Sequence, residues 1–353
     1  MAVPETTKAL VKRGPANAVI EEVPTPKLRD GHVLVKTKAV SINPTDWKSI
    51  YDGNPETVGV RLGCDFAGEV VAVGPGVTNF KVGDRIAGFN PGANVLQHED
   101  GSYAEYSITQ ADIQFHNPFS HEEGASLGIS IFTVGQGLYQ SLKLNLPSDP
   151  LPTPVPILIY GGSTAAGIMG IQFAKLSGYK VITTASPHNF DYLKSLGADA
   201  VFDYQSATVV DDIIAAAGGE LTLAWDCISE GDSPRICASS LSDKGGKLGT
   251  LLPVDAATVH AINPNVDAPV LTVGYTIFGR PFNRWGAYTE GRPEDHEFAK
   301  KWRDLSEQLF REGKAKPSKI EVNRGGSGLE GVLVGLEEMR QGKVSGRKLI
   351  YSV

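Results

Sequence analysis

The chain has 353 residues, a formal net charge of −7, 41% hydrophobic and 21% charged residues, and three cysteines. That length exceeds what a single core usually fills, so two domains are expected, and the composition is that of a folded globular protein. The acidic balance argues against nucleic acid or an anionic membrane surface as partner, since both are polyanions. No run approaches the roughly 18 apolar residues of a membrane span, no apolar signal core opens the chain, and Cys64, Cys227 and Cys237 have no metal-clip spacing, so a reducing, cytoplasmic setting is expected.

In chain order, residues 1–128 read as short strands broken by turns: 8–11, 32–42, 68–73, 84–88 and 103–108 have strand-like apolar content bounded by Gly, Pro or Asp. A mainly β domain is expected there. A helix is predicted over 132–142, followed by a proline-rich connector at 147–156. Strands at 157–160, 180–184, 200–203 and 223–227 then alternate with helices at 166–176, 190–196 and 208–217. Such alternation gives a doubly wound parallel sheet with helices on both faces, so 129–293 is expected to be an α/β domain. A charged helix at 294–312, a strand at 319–322, a helix near 329–341 and a strand at 348–353 complete the chain, and segment 294–353 is expected to return to the first domain.

The stretch 158–178, LIYGGSTAAGIMGIQFAKLSG, sets an apolar strand, a glycine-rich turn and an apolar-faced helix in succession, the front half of a dinucleotide-binding unit. Gly161 and Gly162 suit the tight turn, the following backbone N–H groups suit a pyrophosphate, and Gly167 lets helix and strand approach. The spacing is loose, because Thr164 stands where a Gly-x-x-Gly-x-x-Gly variant has its middle glycine. A turn that only joins strand to helix would read the same way.

Cofactor choice is read at the end of the second strand, where an NAD-preferring fold has an acid roughly twenty residues beyond the glycines. Here the strand runs into Ser186, Pro187, His188 and Asn189, and the first acid, Asp191, is already inside the next helix. Hydroxyl, imidazole and amide groups suit a 2′-phosphate that a carboxylate would repel, so NADPH is expected. Ser186 also reads as a helix N-cap. Tyr204 closes the third strand, where it either stacks on adenine or packs as an ordinary aromatic.

Together SINPTDWK (41–48), GCDFAGEVVAVG (63–74), FKVGDRIAG (80–88), GSYAEY (101–106), YGGST (160–164), ASPHNFDYLKSLGADAVFDY (185–204), TIFGR (276–280) and VSGRKLIYSV (344–353) resemble the medium-chain dehydrogenase/reductase superfamily. YGGST and SPHNFD are closest to its fungal trans-acting enoyl reductases, which serve polyketide synthases, and Thr164 belongs to that branch's pattern. The resemblance covers essentially the whole chain. It implies a GroES-like β domain, a Rossmann domain and an active-site cleft between them. Zinc-dependent members carry a Cys where this chain has Asn43 and a His-Glu pair where it has Cys64-Asp65, and no cysteine falls in 88–103, where their structural zinc lobe lies. With only Asp46 nearby to add, the ligand set is poor and no metal is expected.

Without a metal, the implied chemistry is NADPH hydride transfer to the β-carbon of an α,β-unsaturated thioester, which needs donors for an enolate oxygen. The resemblance points to Lys48 and to Thr133, the latter expected in the first turn of its helix, as the catalytic groups. It lines the cofactor with Thr45, Asp46, Trp47, Lys48, Gly162, Ser163, Thr164, Ala165, Ser186, Pro187, His188, Asn189, Tyr204, Leu251, Leu252, Val344 and Ser345. The substrate channel would be formed by Val134, Gly135, Gln136, Gly137, Leu138, Tyr139, Gln140 and Ser141, with Tyr275, Thr276, Ile277, Phe278 and Gly279. An acyl carrier protein is the expected partner, met by a basic patch for which Arg280, Arg284, Arg292, Lys300, Lys301 and Arg303 are the local candidates, although a solvated helix face explains the last three equally. The Pro253–Arg292 segment would blunt a sheet edge, so a monomer is expected. A zinc-free quinone or alkenal reductase, or a non-catalytic NADPH-binding protein, remain as alternatives.

Overall fold

The computed structural model describes residues 3–353, which fall into two compact units. The first comprises the chain through Ile129, Tyr275–Glu312 and Lys316–Val353, and the second Ser130–Gly274 and Gly313–Ala315. The segment 275–293 thus groups with the first unit, whereas 129–293 was expected to form one α/β domain.

The first unit opens with a hairpin of β1 (Thr6–Gly14) and β2 (Asn17–Pro24). β3 (His32–Ser41) follows, then α1 (Pro44–Tyr51), β4 (Asp65–Val73), β5 (Arg85–Phe89), β6 (Tyr106–Gln110), β7 (Phe115–His116) and the short α2 (His121–Ala125). β3 pairs antiparallel with both β4 and β6, so its side chains are nearly all enclosed. α1 was not foreseen, although Asn-Pro-x-Asp carries its signals: Pro44 at the first helical position and Asp46 accepting from the Asn43 backbone N–H at 2.9 Å.

Helix α3 (Gly128–Val134) leads into the second unit and continues as a π-helical turn, Gly135–Ser141. A single α-helix over 132–142 was expected. Thr133 therefore lies in the last turn of α3 and not in a first turn, and the widened turn seats Gly137 against the Trp225 ring, which a Cβ there would meet at 2.5 Å. Six parallel strands follow: β8 (Pro156–Tyr160), β9 (Lys180–Thr184), β10 (Ala200–Phe202), β11 (Leu223–Asp226), β12 (Lys247–Thr250) and β13 (Val270–Leu271), with spatial order β10-β9-β8-β11-β12-β13. Helices α4 (Ala165–Leu176), α5 (Phe190–Ser195), α6 (Val209–Ala217), α7 (Ser233–Ser240) and α8 (Ala256–Ile262) connect them. This is a doubly wound sheet whose order reverses between β8 and β11, and ligands of such sheets bind beyond the carboxyl ends of the strands at that point. Leu158, Ile182, Ala224 and Leu248, all fully buried, form the middle of the core.

The remaining chain completes the first unit. A 3-10 turn, Gly274–Phe278, precedes the hairpin β14 (Phe282–Arg284) and β15 (Ala287–Thr289), then α9 (Pro293–Arg311), β16 (Ile320–Val322), α10 (Gly328–Arg340) and β17 (Lys348–Ser352). β17 pairs antiparallel with β3, joining the last residues of the chain to the first sheet. His296 on α9 anchors the 3-10 turn: Nδ1 donates to the Ile277 carbonyl at 2.7 Å and Nε2 to Asp112 at 2.8 Å.

The Asp112 hydrogen bond raises the His296 pKa, against the opposing effect of burial. A raised value means that the stabilisation is complete below the unfolded pKa of about 6.5 and is lost as pH rises through the folded value. Thermal unfolding of wild type and His296→Gln should accordingly differ most below the unfolded value and by progressively less as pH rises above it. A difference that grows with pH would contradict the assignment.

Candidate active site

In the second unit, the turn between β8 and α4 has the shape of a phosphate cradle. Gly161 adopts φ +77°, a conformation open to glycine; a Cβ on Gly162 would meet Thr183 Oγ1 at 2.1 Å, and one on Gly167 the Gly161 carbonyl at 2.3 Å. The Gly161 and Gly162 N–H groups donate to Thr184 Oγ1 and O at 3.0 and 2.9 Å, fixing the turn on β9. Thr164 is the N-cap of α4, its hydroxyl accepting from the Gly167 N–H at 3.0 Å and donating to the Gly161 carbonyl at 2.8 Å. A glycine could not do this, which is the physical reason for the break in the fingerprint. The first N–H groups of α4 have no acceptor within the helix and, with its dipole, favour a phosphate. Thr164→Ala should lower stability by about 1 kcal/mol, read as a shifted urea midpoint.

Around the cradle, Ser186 is half-buried, Pro187 and His188 are exposed and Asn189 is buried after β9. Ser186 precedes a 3-10 turn, Pro187–Asn189, without bonding to it through its side chain, and Asn189, not Ser186, precedes α5. Tyr204 is 39% exposed just beyond β10. Leu251 and Leu252 follow β12 at its carboxyl end, half-buried. A network missing from the sequence reading holds Leu251: buried Asp226 accepts from Ser233 Oγ at 2.6 Å and from the Ile228 and Ser229 N–H groups, and Ser229 Oγ accepts from the Leu251 N–H at 2.9 Å. A carboxylate closing the apolar strand LAWD was the available signal.

Of the expected channel residues, Val134 to Tyr139 are buried, and Tyr139 is tied to α4 by its hydroxyl, which donates to the Phe173 carbonyl at 3.2 Å and lies 2.9 Å from Ser177 Oγ. Tyr139 is thereby packed within the second unit. Gln140 and Ser141 are half-buried. Thr276, Ile277 and Phe278 are buried in the first unit, with Gly279 half-buried beside His296.

In the first unit, α1 carries Thr45, Asp46, Trp47 and Lys48; Asp46 is buried, Thr45, Trp47 and Lys48 half-buried, and Lys48 Nζ sits 5.7 Å from the Trp47 ring centroid. Asp46 accepts from Tyr103 Oη at 2.7 Å; burial raises its pKa against that hydrogen bond. Thr45 Oγ1 is 2.8 Å from Tyr275 Oη, which is 3.4 Å from Cys64 Sγ. Burial also pushes the Cys64 thiol well above its ordinary value, which disfavours the thiolate.

Beside this cluster lies a second feature that the sequence reading did not find. Asp65, fully buried, accepts through Oδ2 from Ser41 Oγ (2.8 Å), Asn43 Nδ2 (2.9 Å) and Lys348 Nζ (2.7 Å), and through Oδ1 from the Ile129 N–H (2.6 Å). Lys348 Nζ also donates to Asn43 Oδ1 at 2.6 Å. Val344 and Ser345, half-buried and exposed, precede β17.

The anticipated basic patch is largely neutralised within the chain. Arg280 pairs with Asp100, Arg292 with Asp295, Lys300 with Glu297 and Arg303 with Asp304, while Arg284 is buried.

A strand order with its switch point beside a glycine cradle, following a mainly antiparallel first unit, defines a medium-chain dehydrogenase/reductase. Residues 29–118 match the alcohol dehydrogenase GroES-like domain and residues 165–251 the zinc-binding dehydrogenase family. The fold is similar to that of a CurK enoyl reductase (TM-score 0.77, 18% identity, 98% of each chain) and of an alcohol dehydrogenase superfamily protein from Novosphingobium aromaticivorans (TM-score 0.79, 22%, 99% of each). In sequence the chain is similar to trans-enoyl reductase resD of Aspergillus sclerotiorum (41% identity, 98% of this chain and 100% of that one). It is also similar to ACTTS2 of Alternaria alternata (42%, 99% of each) and TOXD of Cochliobolus carbonum (47%, 78% and 91%), both trans-enoyl reductases. The chain belongs to the trans-enoyl reductases, oxidoreductases that act on a carbon–carbon double bond.

The fold implies a nicotinamide cofactor, and the cradle at Gly161–Gly167 fits one. Zinc does not fit: Asn43 and Asp65 are bound by Lys348, Asp46 by Tyr103, and among the described residues no three His, Cys, Asp or Glu side chains gather as ligands. No described helix is long and apolar enough to cross a membrane.

Proposed function

We propose that this protein is the stand-alone enoyl reductase of a polyketide pathway, working as a cytoplasmic monomer on an α,β-unsaturated thioester held by the acyl carrier protein of a synthase. Full-length similarity to trans-enoyl reductases supports the reaction class, and the acid-free Ser186–Asn189 segment supports NADPH. Bound NADPH would supply a hydride to the β-carbon and become NADP⁺; the double-bond pair would shift to form the enolate as the carbonyl pair moves onto the thioester oxygen, and the carbonyl would re-form as a proton is taken up at the α-carbon.

The chain's own groups bind and polarise. Gly162, Ser163, Thr164 and Ala165 hold the pyrophosphate, Ser186 to Asn189 the 2′-phosphate, and Tyr204 the adenine. Leu251, Leu252, Val344 and Ser345 border the nicotinamide, with Thr45, Asp46 and Trp47 lying along the cofactor. Thr133 donates to the carbonyl oxygen on which negative charge develops, and Lys48 holds the nicotinamide ribose or relays the proton. Gln140 and Ser141, with the Tyr275–Gly279 turn, border the acyl chain.

The test is reduction of enoyl-pantetheine thioesters with NADPH and with NADH, followed by mass spectrometry, for wild type and Ser186→Asp. Wild type should prefer NADPH, and the introduced carboxylate should reduce kcat/KM for NADPH by about tenfold or more while sparing NADH. Equal use of both cofactors by wild type would overturn the cofactor assignment.

A further inference from the structure

Arg284 lies in the hairpin β14–β15, whose connecting residues Trp285 and Gly286 have φ of +54° and +73°. Arg284 is 3% exposed, and its Nε is buried without an acceptor. Nη2 donates to Ser49 Oγ at 2.7 Å and Thr45 Oγ1 at 3.3 Å, Nη1 lies 4.0 Å from Cys64 Sγ, and the group sits 4.0 Å over the Tyr275 ring. Trp285 Nε1 adds a donor to Ser49 Oγ at 3.2 Å. Among the described residues no carboxylate lies within ion-pair distance of it; Tyr275, Cys64 and Asp46 act only to keep it charged against burial.

Burying a guanidinium with no ion pair and with Nε unpartnered costs desolvation that an apolar side chain of similar length would avoid, although buried Asp46 attracts Arg284 at longer range. What it touches is one face of α1, because Thr45 and Ser49 are one helical turn apart, and Lys48 is on the same short helix. Its planar fork and its stacking on Tyr275 suit a fixed geometry better than a lysine ammonium would.

We propose that Arg284 is a positioning residue that fixes helix α1 and thereby Lys48 for reduction of the substrate double bond; this rests on the role given to Lys48 above. The experiment compares wild type, Arg284→Met, Arg284→Lys, Lys48→Ala and Arg284→Met/Lys48→Ala in kcat for an enoyl-pantetheine thioester, in thermal unfolding, and in amide hydrogen exchange over 44–51.

Arg284→Met should unfold at the same temperature as wild type or higher, lose about tenfold or more in kcat, and exchange faster over 44–51, with Arg284→Lys intermediate. Adding Lys48→Ala should cost little beyond the larger single loss. Unchanged kcat, unchanged exchange, a melting temperature that falls with activity, or losses that multiply would each overturn the proposal. If wild type turns over no thioester, the proposed reaction fails, and unfolding and exchange still decide the role of Arg284.

Discussion

Asp65→Ala is expected to destabilise the protein by about 3–5 kcal/mol, the cost of leaving a buried ammonium without its partner. Lys348 is 2% exposed and Asp65 0%, so water cannot replace the lost carboxylate, and Ser41, Asn43 and the Ile129 N–H lose their acceptor as well. The pair joins β4 to β17, strands separated by most of the chain, so its loss loosens the closure of the first sheet by the C-terminal strand. Removing both charges should do less harm: Asp65→Leu with Lys348→Met should recover most of the stability, because an apolar pair avoids desolvation. Urea unfolding of wild type and the two variants checks this. A double variant as unstable as Asp65→Ala would show that the surrounding hydrogen bonds, not the charge, carry the effect.

Lys48→Ala is expected to lower kcat for enoyl thioester reduction by about 10²-fold or more, the usual contribution of a positioned proton donor, with stability nearly unchanged because the side chain is only half-buried. Thr133→Ala removes one neutral donor to the developing oxyanion and should cost about 10²-fold. Steady-state kinetics against one thioester, with circular dichroism to check folding, separates the two contributions. Full activity in Lys48→Ala would remove that residue from the chemistry.

The second unit was largely legible in the sequence because period and punctuation agree there. Residues 180–184 were expected as a strand and form β9, and 166–176 falls within one residue of α4. Helices α7 and α8 and strand β13 were not foreseen, and neither was the π-helical turn at Gly135–Ser141, which depends on how Trp225, distant in sequence, packs on Gly137. No local pattern announces that. Thr164, which weakened the glycine fingerprint on paper, is the N-cap that completes the turn.

In the first unit the polar interior was invisible. Lys348 opens the strand KLIYS and reads as solvent-facing, and Arg284 stands among Phe282, Asn283 and Trp285 in a hairpin. Both are buried because residues far away in sequence supply their partners. The expected basic patch failed for the complementary reason: composition counts positive charges, whereas the fold pairs Arg280, Arg292, Lys300 and Arg303 with neighbouring acids.

The most direct test of the proposed activity is a competition. Purified protein and NADPH are mixed with equal concentrations of an enoyl-pantetheine thioester and a free alkenal or quinone, and the products are counted by mass spectrometry at early times. The thioester should be saturated first, with one hydride from NADPH per product. Faster consumption of the free alkenal or quinone, or no saturated thioester at all, would contradict the proposed substrate.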